Sequence, residues 1–342
     1  MVTIYDIARQ AGVSAMTVSR VINNTGRISD STRRRVKAVM DELGYIPNSA
    51  ARSLVVQETK ILSLLITDIT NPFYTTLARG AEDAAKRSGY RLLFSNSDED
   101  LNKEREYIDM VLQARVDGVV LAPSGDASLE HLHKLRQHRI PFVLLDREVP
   151  GAESDMVLGD SREGARKLVE YLISLGHHRI AFVNGLSSTS TARHRKQGYA
   201  DALKLGDLPY MDDLYMEIGY RRLDEQTALA AAERLLSGPV RPTAIFAANN
   251  FLALALIRAL NRLGVAVPEQ MSVVCFDDLD PAALIDPFLT VAAQPAYQFG
   301  ELGIQLLLDR IAGEGPDQSA APWKKIILPC EIIARRSAAP LP

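Results

Sequence analysis

Cysteine is scarce in this chain: Cys275 and Cys330 are the only two in 342 residues. Both sit inside apolar strand-like runs, SVVCF and ILPCEII, and read as buried free thiols. That excludes a disulfide framework and the small secreted domains built on one. No apolar run approaches the ~20 residues that a bilayer span needs, and no charged-then-apolar leader opens the chain. The expectation is a soluble, cytoplasmic protein with no membrane partner. No G-x-G-x-x-G follows the first apolar strand, and no G-x-x-x-x-G-K-S/T occurs, so dinucleotide and phosphate-loop chemistry lack their anchors. His131 and His133 form an H-x-H, but on the helix predicted there they point apart. His177-His178 reads as a structural turn, and no Ser/His/Asp set stands out. No catalytic residue, metal ligand or cofactor is expected.

What the chain does have is an uneven distribution of charge. The formal net charge of -3 divides into nine Lys/Arg against five Asp/Glu over residues 1–60 and 30 against 37 over the rest. A small basic end on an acidic body suits phosphate contact at one end only. At 47% hydrophobic, the chain is long enough for two or three cores.

The basic end has a specific pattern. Thr3 is placed to cap a helix running to Ala11, with Ile4, Ile7, Ala8 and Ala11 on one face. Gly12 supplies the left-handed stop and Val13 plugs the corner. Ser14 caps a second helix over 15–23 that buries Val18, Val21 and Ile22. A third helix over 31–43 follows Ser29-Asp30-Ser31 and buries Val36, Val39, Met40 and Leu43. The short second helix exposes hydroxyls, an amide and one guanidinium in place of paired Glu and Lys. That is a helix-turn-helix, a unit that lays one helix in the DNA major groove. Arg20 has the fork that fits the O6/N7 edge of guanine. Ser14, Thr17, Ser19 and Asn23 suit phosphate contacts, which position a helix without reading sequence. Ala15 and Met16 would meet bases through apolar contact. Beyond Pro47, Asn48 can cap a new helix and residues 50–54 read as a short helical stretch, too short to stand alone in water; ordering only when two copies meet on DNA is one solution.

From residue 61 the pattern changes. ILSLLIT, RLLFSN, DGVVLAP and PFVLLD alternate with amphipathic helices, and the rhythm restarts after residue 160 with RIAFVNG, MEIG, TAIFAAN and SVVCFDD. Short apolar strands alternating with helices mean parallel α/β, here as two doubly wound lobes. Ligands of such sheets sit at the carboxyl ends of strands. Those ends carry Asp68 and Asn71-Pro72-Phe73-Tyr74, Asp146-Arg147, Ser188 to Thr191 with Arg195, Asn249-Asn250, Asp277-Asp278 and Gln294. Carboxylates, amides, arginines and an aromatic pair are what a polyhydroxylated ligand needs, since each hydroxyl donates and accepts and a sugar ring stacks on an aromatic.

The strings VTIYDIARQAGVSAMTVSRVIN, TRRRVKAVMDELGYIPN and NSAARSL, in that order and spacing, resemble the headpiece of the lactose-repressor/galactose-repressor (LacI/GalR) family of bacterial transcription regulators. Residues 61–336 resemble that family's effector domain, itself similar to periplasmic ribose- and hexose-binding proteins. The resemblance implies a small all-α helix-turn-helix headpiece (1–47) and a hinge helix with linker (48–60). Behind them stands an α/β effector body of two doubly wound parallel-sheet lobes, one from 61–160 with about 292–320 and one from 161–291 with about 321–342. It implies that Arg20, with Ala15 and Met16, reads a palindromic operator, and that Leu54 wedges into the minor groove beside Ala51, kinking the duplex. Thr3, Tyr5, Thr32, Tyr45 and Asn48 complete the DNA-contacting set. Phe73, Tyr74, Asp146, Arg147, Thr191, Arg195, Asn249, Asp277 and Gln294 fall at effector-contacting positions. Thr189 stands where a purine-binding member carries an arginine, which argues against a purine effector. Asn250 departs from the family, where Asp more often follows the Asn.

The expected function is a sequence-specific repressor of carbohydrate-use genes that binds double-stranded operator DNA under the control of a small sugar-like effector. No leucine heptad follows KKIILPCEIIARRS (324–337), so a homodimer is expected. Two alternatives stay open at this point. The effector can be read instead as a sugar phosphate held by Arg147 and Arg195, or a serine-phosphorylated phosphocarrier protein can be read as the corepressor. A sugar-binding transport protein would share the body without the headpiece.

Overall fold

The computed structural model describes residues 2–23, 25–45, 59–220, 223–279, 286–313 and 322–341. The chain divides into two compact units, residues 1–59 and 60–342, and each is described by itself. Among the described residues no helix is long and apolar enough to cross a membrane.

The first unit holds α1 (Ile4–Ala11), α2 (Ala15–Ile22) and α3 (Asp30–Glu42). Thr3 caps α1 in a reciprocal box: Asp6 N donates to the Thr3 hydroxyl at 3.4 Å, and Thr3 N donates to Asp6 Oδ2 at 3.0 Å. Two orphan donors of the first turn are thereby satisfied. Gly12 ends α1 at φ 62°, a left-handed conformation that favours glycine. Ser14 and Ser29 cap α2 and α3 through Thr17 N and Thr32 N. Ile7, Ala8, Ala11, Val18, Val21, Val36 and Val39 form the core. Ile4, Ile22, Met40 and Leu43, expected inside, are only half-buried against it. Three short helices have too little interior to enclose a second layer.

The second unit has two sheets. The first contains β1 (Ile61–Ile66), β2 (Arg91–Asn96), β3 (Gly118–Leu121), β4 (Phe142–Leu145), β5 (Asp155–Gly159) and β11 (Lys325–Leu328), in the order β11-β5-β4-β3-β1-β2. Every pairing is parallel. Its connecting helices are α4 (Pro72–Arg87), α5 (Leu101–Ala114) and α6 (Leu129–Gln137). The second sheet contains β6 (Ile180–Asn184), β7 (Tyr215–Glu217), β8 (Ala244–Ala247), β9 (Ser272–Phe276), β10 (Thr290–Ala293) and β12 (Glu331–Ile333), in the order β12-β10-β9-β8-β6-β7. Only β12 runs antiparallel, against β10. Its helices are α7 (Ser161–Ser174), α8 (Ser190–Leu205), α9 (Glu225–Ser237) and α10 (Asn250–Arg262).

The chain crosses between the lobes three times: after β5, after β10 and after β11. The second crossing delivers α11 (Ala296–Ala312) to the first lobe, where Phe299, Ile304 and Leu307 share a core with Leu62 and Leu77. α4 and α11 meet backbone to backbone. A Cβ at Gly80 would lie 2.1 Å from Tyr297 O, and one at Gly300 would lie 2.0 Å from Leu77 O.

The third crossing corrects the sequence reading. Residues 324–337 form two strands in different sheets, β11 in the first lobe and β12 in the second, whereas everything from about 321 was expected in the second lobe. Pro329, which has no N–H for a ladder, stands at the break. β5 was also missed: Asp155–Gly159 has a polar and a glycine end around only three apolar residues. β10 runs to Ala293 in the second sheet, two residues beyond the expected boundary.

Candidate DNA interface and effector cleft

On the headpiece, α2 turns Val18 and Val21 inward, which leaves its other face to solvent. Met16 is 63% exposed, Tyr5 on α1 is 68% exposed, and Arg20 is exposed. Ala15, Thr17, Ser19, Asn23, Thr32 and Tyr45 are half-buried, while Thr3 and Ser14 are exposed. Several of the expected phosphate ligands already serve the fold. Thr3 and Ser14 are helix caps, the Ser14 and Thr17 hydroxyls lie 2.9 Å apart, and Asn23 Nδ2 donates to Ser19 Oγ at 3.3 Å. These bonds hold side chains in one rotamer on the exposed face. Asn48, Ala51 and Leu54, the expected hinge contacts, lie outside the described residues.

In the larger unit, a cleft of about 940 Å³ opens between the lobes. Eight of the nine expected effector residues line it: Phe73, Tyr74, Asp146, Arg147, Thr191, Arg195, Asn249 and Asp277. Gln294 stands behind them and donates from Nε2 to Asp277 Oδ1 at 2.7 Å. Phe73 and Tyr74 enter on the first turn of α4, capped by Asn71, whose side chain accepts from Phe73 N at 3.0 Å. Pro72 sets that first turn, where its missing N–H costs nothing.

Each lobe contributes one buried carboxylate and one buried arginine to the cleft. Tyr74 donates its hydroxyl to Asp146 Oδ2 at 2.8 Å. Burial, reinforced by the Asp146 charge, pushes the Tyr74 phenol well above its usual range, so it is a donor at every physiological pH. Arg147 donates from Nη1 to the carbonyls of Pro123 and Ser124 at 3.3 and 3.4 Å, and from Nη2 to Glu99 Oε1 at 2.5 Å. Burial disfavours its charge, but Glu99, Tyr74 and Asp146 outweigh burial and hold the guanidinium protonated. In the second lobe, Arg195 stacks 4.1 Å from the Phe276 ring centroid and donates to Ala248 O at 2.6 Å. Its Nη2 lies 3.9 Å from Asp277 Oδ2. Burial raises the Asp277 carboxyl to about 6, against the opposing pull of Arg195 and Gln294. Nε of Arg147, Nε of Arg195 and Oε1 of Gln294 are buried without a hydrogen-bond partner. Unpaired groups of this kind are unfavourable in a closed interior.

The departure at Asn250 now has a physical account. Its side chain is fully buried and donates from Nδ2 to Asn71 Oδ1 at 3.3 Å and to Asp278 O at 3.2 Å. It therefore ties the first lobe to the second. An aspartate there would face two acceptors with no proton to give. Asn249 is the cap of α10, its side chain accepting from Leu252 N at 2.8 Å, so only its amide NH2 is left for a ligand. Thr189 does not offer its hydroxyl to the cleft, donating to Leu186 O at 3.1 Å.

Sequence reasoning missed Glu99 and Tyr220, both of which line the cleft. The signal was available, because Glu99 follows the end of β2 and Tyr220 the end of β7, the same strand-end rule that found the others. Among the described residues no cluster of His, Cys, Asp or Glu fits a metal ion.

The profile of "Periplasmic binding proteins and sugar binding domain of LacI family" matches residues 59–334, and that of "Bacterial regulatory proteins, lacI family" matches residues 3–48. The HTH-type transcriptional regulator DegA of Bacillus subtilis is 37% identical over 341 residues, covering 99% of this chain and 98% of that protein. The HTH-type transcriptional repressor PurR of Vibrio vulnificus is 35% identical over 319 residues, covering 93% and 94%. Among solved structures, the lac repressor dimer bound to operator and the anti-inducer ONPF superposes with a TM-score of 0.81 at 26% identity, covering 99% of both chains.

Proposed function

The chain belongs to the LacI family of bacterial regulatory proteins, DNA-binding transcriptional regulators with an effector domain, and from that premise we propose that it is a dimeric operator-binding repressor controlled by a small uncharged sugar. The observation that carries the effector class is the charge arrangement in the cleft. Seven carboxylates and three guanidinium groups line it, and the two buried arginines are already matched by Glu99 and Asp277. A sugar phosphate would enter a net negative cleft, in which Arg258 is the one lining guanidinium without a described ion pair, and pay a Coulombic penalty there. A neutral polyol meets acceptors on Asp146 and Asp277, donors on Arg147, Arg195 and Asn249, and the rings of Phe73 and Tyr220.

The headpiece reads the operator through Arg20, Ala15 and Met16, with the hydroxyls of α2 against phosphates. Two chains present two such helices to a palindrome, as the symmetry of a dimer requires. Effector in the cleft favours one arrangement of the lobes, and DNA affinity changes only by the difference in effector affinity between the two arrangements. On this reading the protein acts in the cytoplasm, on chromosomal DNA.

The test is a thermal-shift screen of the full chain against pentoses, hexoses, their phosphates and nucleobases, followed by operator titration with each hit. Stabilisation by a neutral sugar that alters operator binding supports the reading. Stabilisation by sugar phosphates or nucleobases alone replaces the effector class. An operator response that needs a serine-phosphorylated carrier protein replaces the small-molecule effector altogether.

A further inference from the structure

We propose that Glu99 is a specificity determinant of the cleft, converting what would be an anion site at Arg147 into a site for an uncharged ligand. The inference rests on the effector-cleft reading above and asks which residue sets its preference for charge.

Arg147 is 5% exposed and lines the cleft. Its Nη1 is taken by two backbone carbonyls, and its Nη2 carries the one strong charge-assisted bond, to Glu99 Oε1 at 2.5 Å. Asp146 is nearer in sequence but does not replace that bond. Its Oδ2 lies 3.7 Å from Nε and accepts from Tyr74. Glu99 therefore does two things. It occupies the guanidinium edge that a phosphate or carboxylate would take as a bidentate partner. It also tips the balance of buried charge. Asp146 and Asp277 equal Arg147 and Arg195 in number, and Glu99 makes the set net negative.

The chain holds Glu99 beside Arg147 at some cost. Asp98 and Glu99 are consecutive residues with φ of 52° and 54°, a left-handed conformation that aspartate tolerates and glutamate does not favour. The turn they form lies just beyond β2 and Ser97, and Glu99 lines the cleft. The Glu99 side chain is 18% exposed, so the pair is largely withdrawn from water, where an ion pair is screened little. Removing one member of such a pair leaves an uncompensated buried charge that seeks another counter-ion.

Inorganic phosphate is the probe, because it needs no knowledge of the natural effector. Thermal stability of the full chain is measured against phosphate at constant ionic strength for wild type, Glu99→Ala, Glu99→Gln, Glu99→Asp and the double variant Glu99→Ala/Arg147→Gln. Phosphate contacts at the headpiece are common to all five and cancel in the comparison. Wild type and Glu99→Asp are expected to show no saturable stabilisation. Glu99→Ala is expected to gain one with an apparent Kd at least tenfold tighter than any wild-type response. Glu99→Gln, which keeps an acceptor and loses the charge, gives a smaller gain, and the double variant loses it. If Glu99→Ala does not fold, the Gln and Asp variants carry the same comparison. Equal phosphate responses in wild type and the uncharged variants would overturn the proposal. So would a saturable wild-type response that the double variant Glu99→Ala/Arg147→Gln lacks. This phosphate pattern in a protein that answers to no sugar would uphold the role of Glu99 and remove the sugar reading. A sugar response without the phosphate pattern would do the reverse.

Discussion

Asp146 and Asp277 occupy matching positions in the two lobes. Each stands one residue beyond its strand, β4 or β9, with φ of 64° and 63°. Each donates its backbone N–H to the next strand of its sheet, Asp146 to Val157 O at 2.9 Å and Asp277 to Ala292 O at 3.1 Å. The left-handed turn ends the strand and brings the carboxylate into the cleft. Aspartate and asparagine tolerate that backbone better than other non-glycine residues.

Asparagine at either position should therefore keep the fold and lose the charge. Valine should lose both, with the backbone alone adding roughly 1–2 kcal/mol of destabilisation. Urea unfolding of Asp146→Asn, Asp146→Val and the corresponding pair at 277 checks this; equal losses for Asn and Val would contradict it.

The raised carboxyl of Asp277 gives a pH dependence with a defined sign. A folded value of about 6 against an ordinary 3.8 means that the folded state holds the proton more tightly. The associated stability is fully present below about pH 4 and is lost as pH rises through 6. At about 1.4 kcal/mol per unit the loss is on the order of 3 kcal/mol. Asp277→Asn should flatten that window. Effector affinity should run the other way, rising through pH 6 as the carboxylate becomes an acceptor. Unfolding and binding titrations from pH 4 to 8 measure both.

Gly159 governs the cleft from behind. A Cβ there would lie 1.8 Å from Gln294 Oε1, the far end of a side chain that can swing away. Gly159→Ala should therefore fold with a loss within about 1 kcal/mol and displace Gln294 from Asp277. The expected readout is effector affinity reduced about tenfold, near the worth of one hydrogen bond to a charged group. Unchanged affinity would show that Gln294 does not position Asp277.

Glu104 anchors the loop that supplies the carbonyls for Arg147. It is fully buried, lies 2.5 Å from His131 Nδ1 and accepts from Ser124 N at 2.7 Å. Burial alone would raise its carboxyl, but the bonds from His131, Ser124 and Ser128 lower it. A lowered value contributes stability above the ordinary 4.5 that is lost as pH falls through the folded value. Glu104→Ala should cost about 3–5 kcal/mol by leaving buried partners unpaired. Its stability should also fall less steeply than wild type below pH 4.5, as followed by acid unfolding.

Arg20→Ala should weaken operator binding by about 1–3 kcal/mol and relax the preference at a single base pair of each half-site. Binding of the variant to a library randomised at each operator position reads both effects.

Much of this was legible in the sequence because the relevant signals are local. Thr3, Gly12, Ser14 and Ser29 sit at helix ends whose chemistry demands such residues, and the structure uses all four in those roles. The strand-end rule found Asp146, Arg195, Asn249 and Asp277. What escaped depended on contacts distant in sequence. The split of 324–337 is decided by which sheet has an open edge, and no periodicity within the segment records that. Glu99 matters because it meets a residue 48 positions away, and Asn250 because its partner is 179 positions away on the other lobe.

The most direct test of the account is the operator Kd of wild type and Asp277→Asn, each with and without the neutral sugar that stabilises the wild type most. The account predicts that saturating sugar changes the wild-type Kd by about 5- to 150-fold, the usual range of such coupling. It predicts that Asp277→Asn binds operator normally and no longer answers to the sugar. A wild-type Kd unmoved by saturating sugar, or a variant that responds equally, would contradict it.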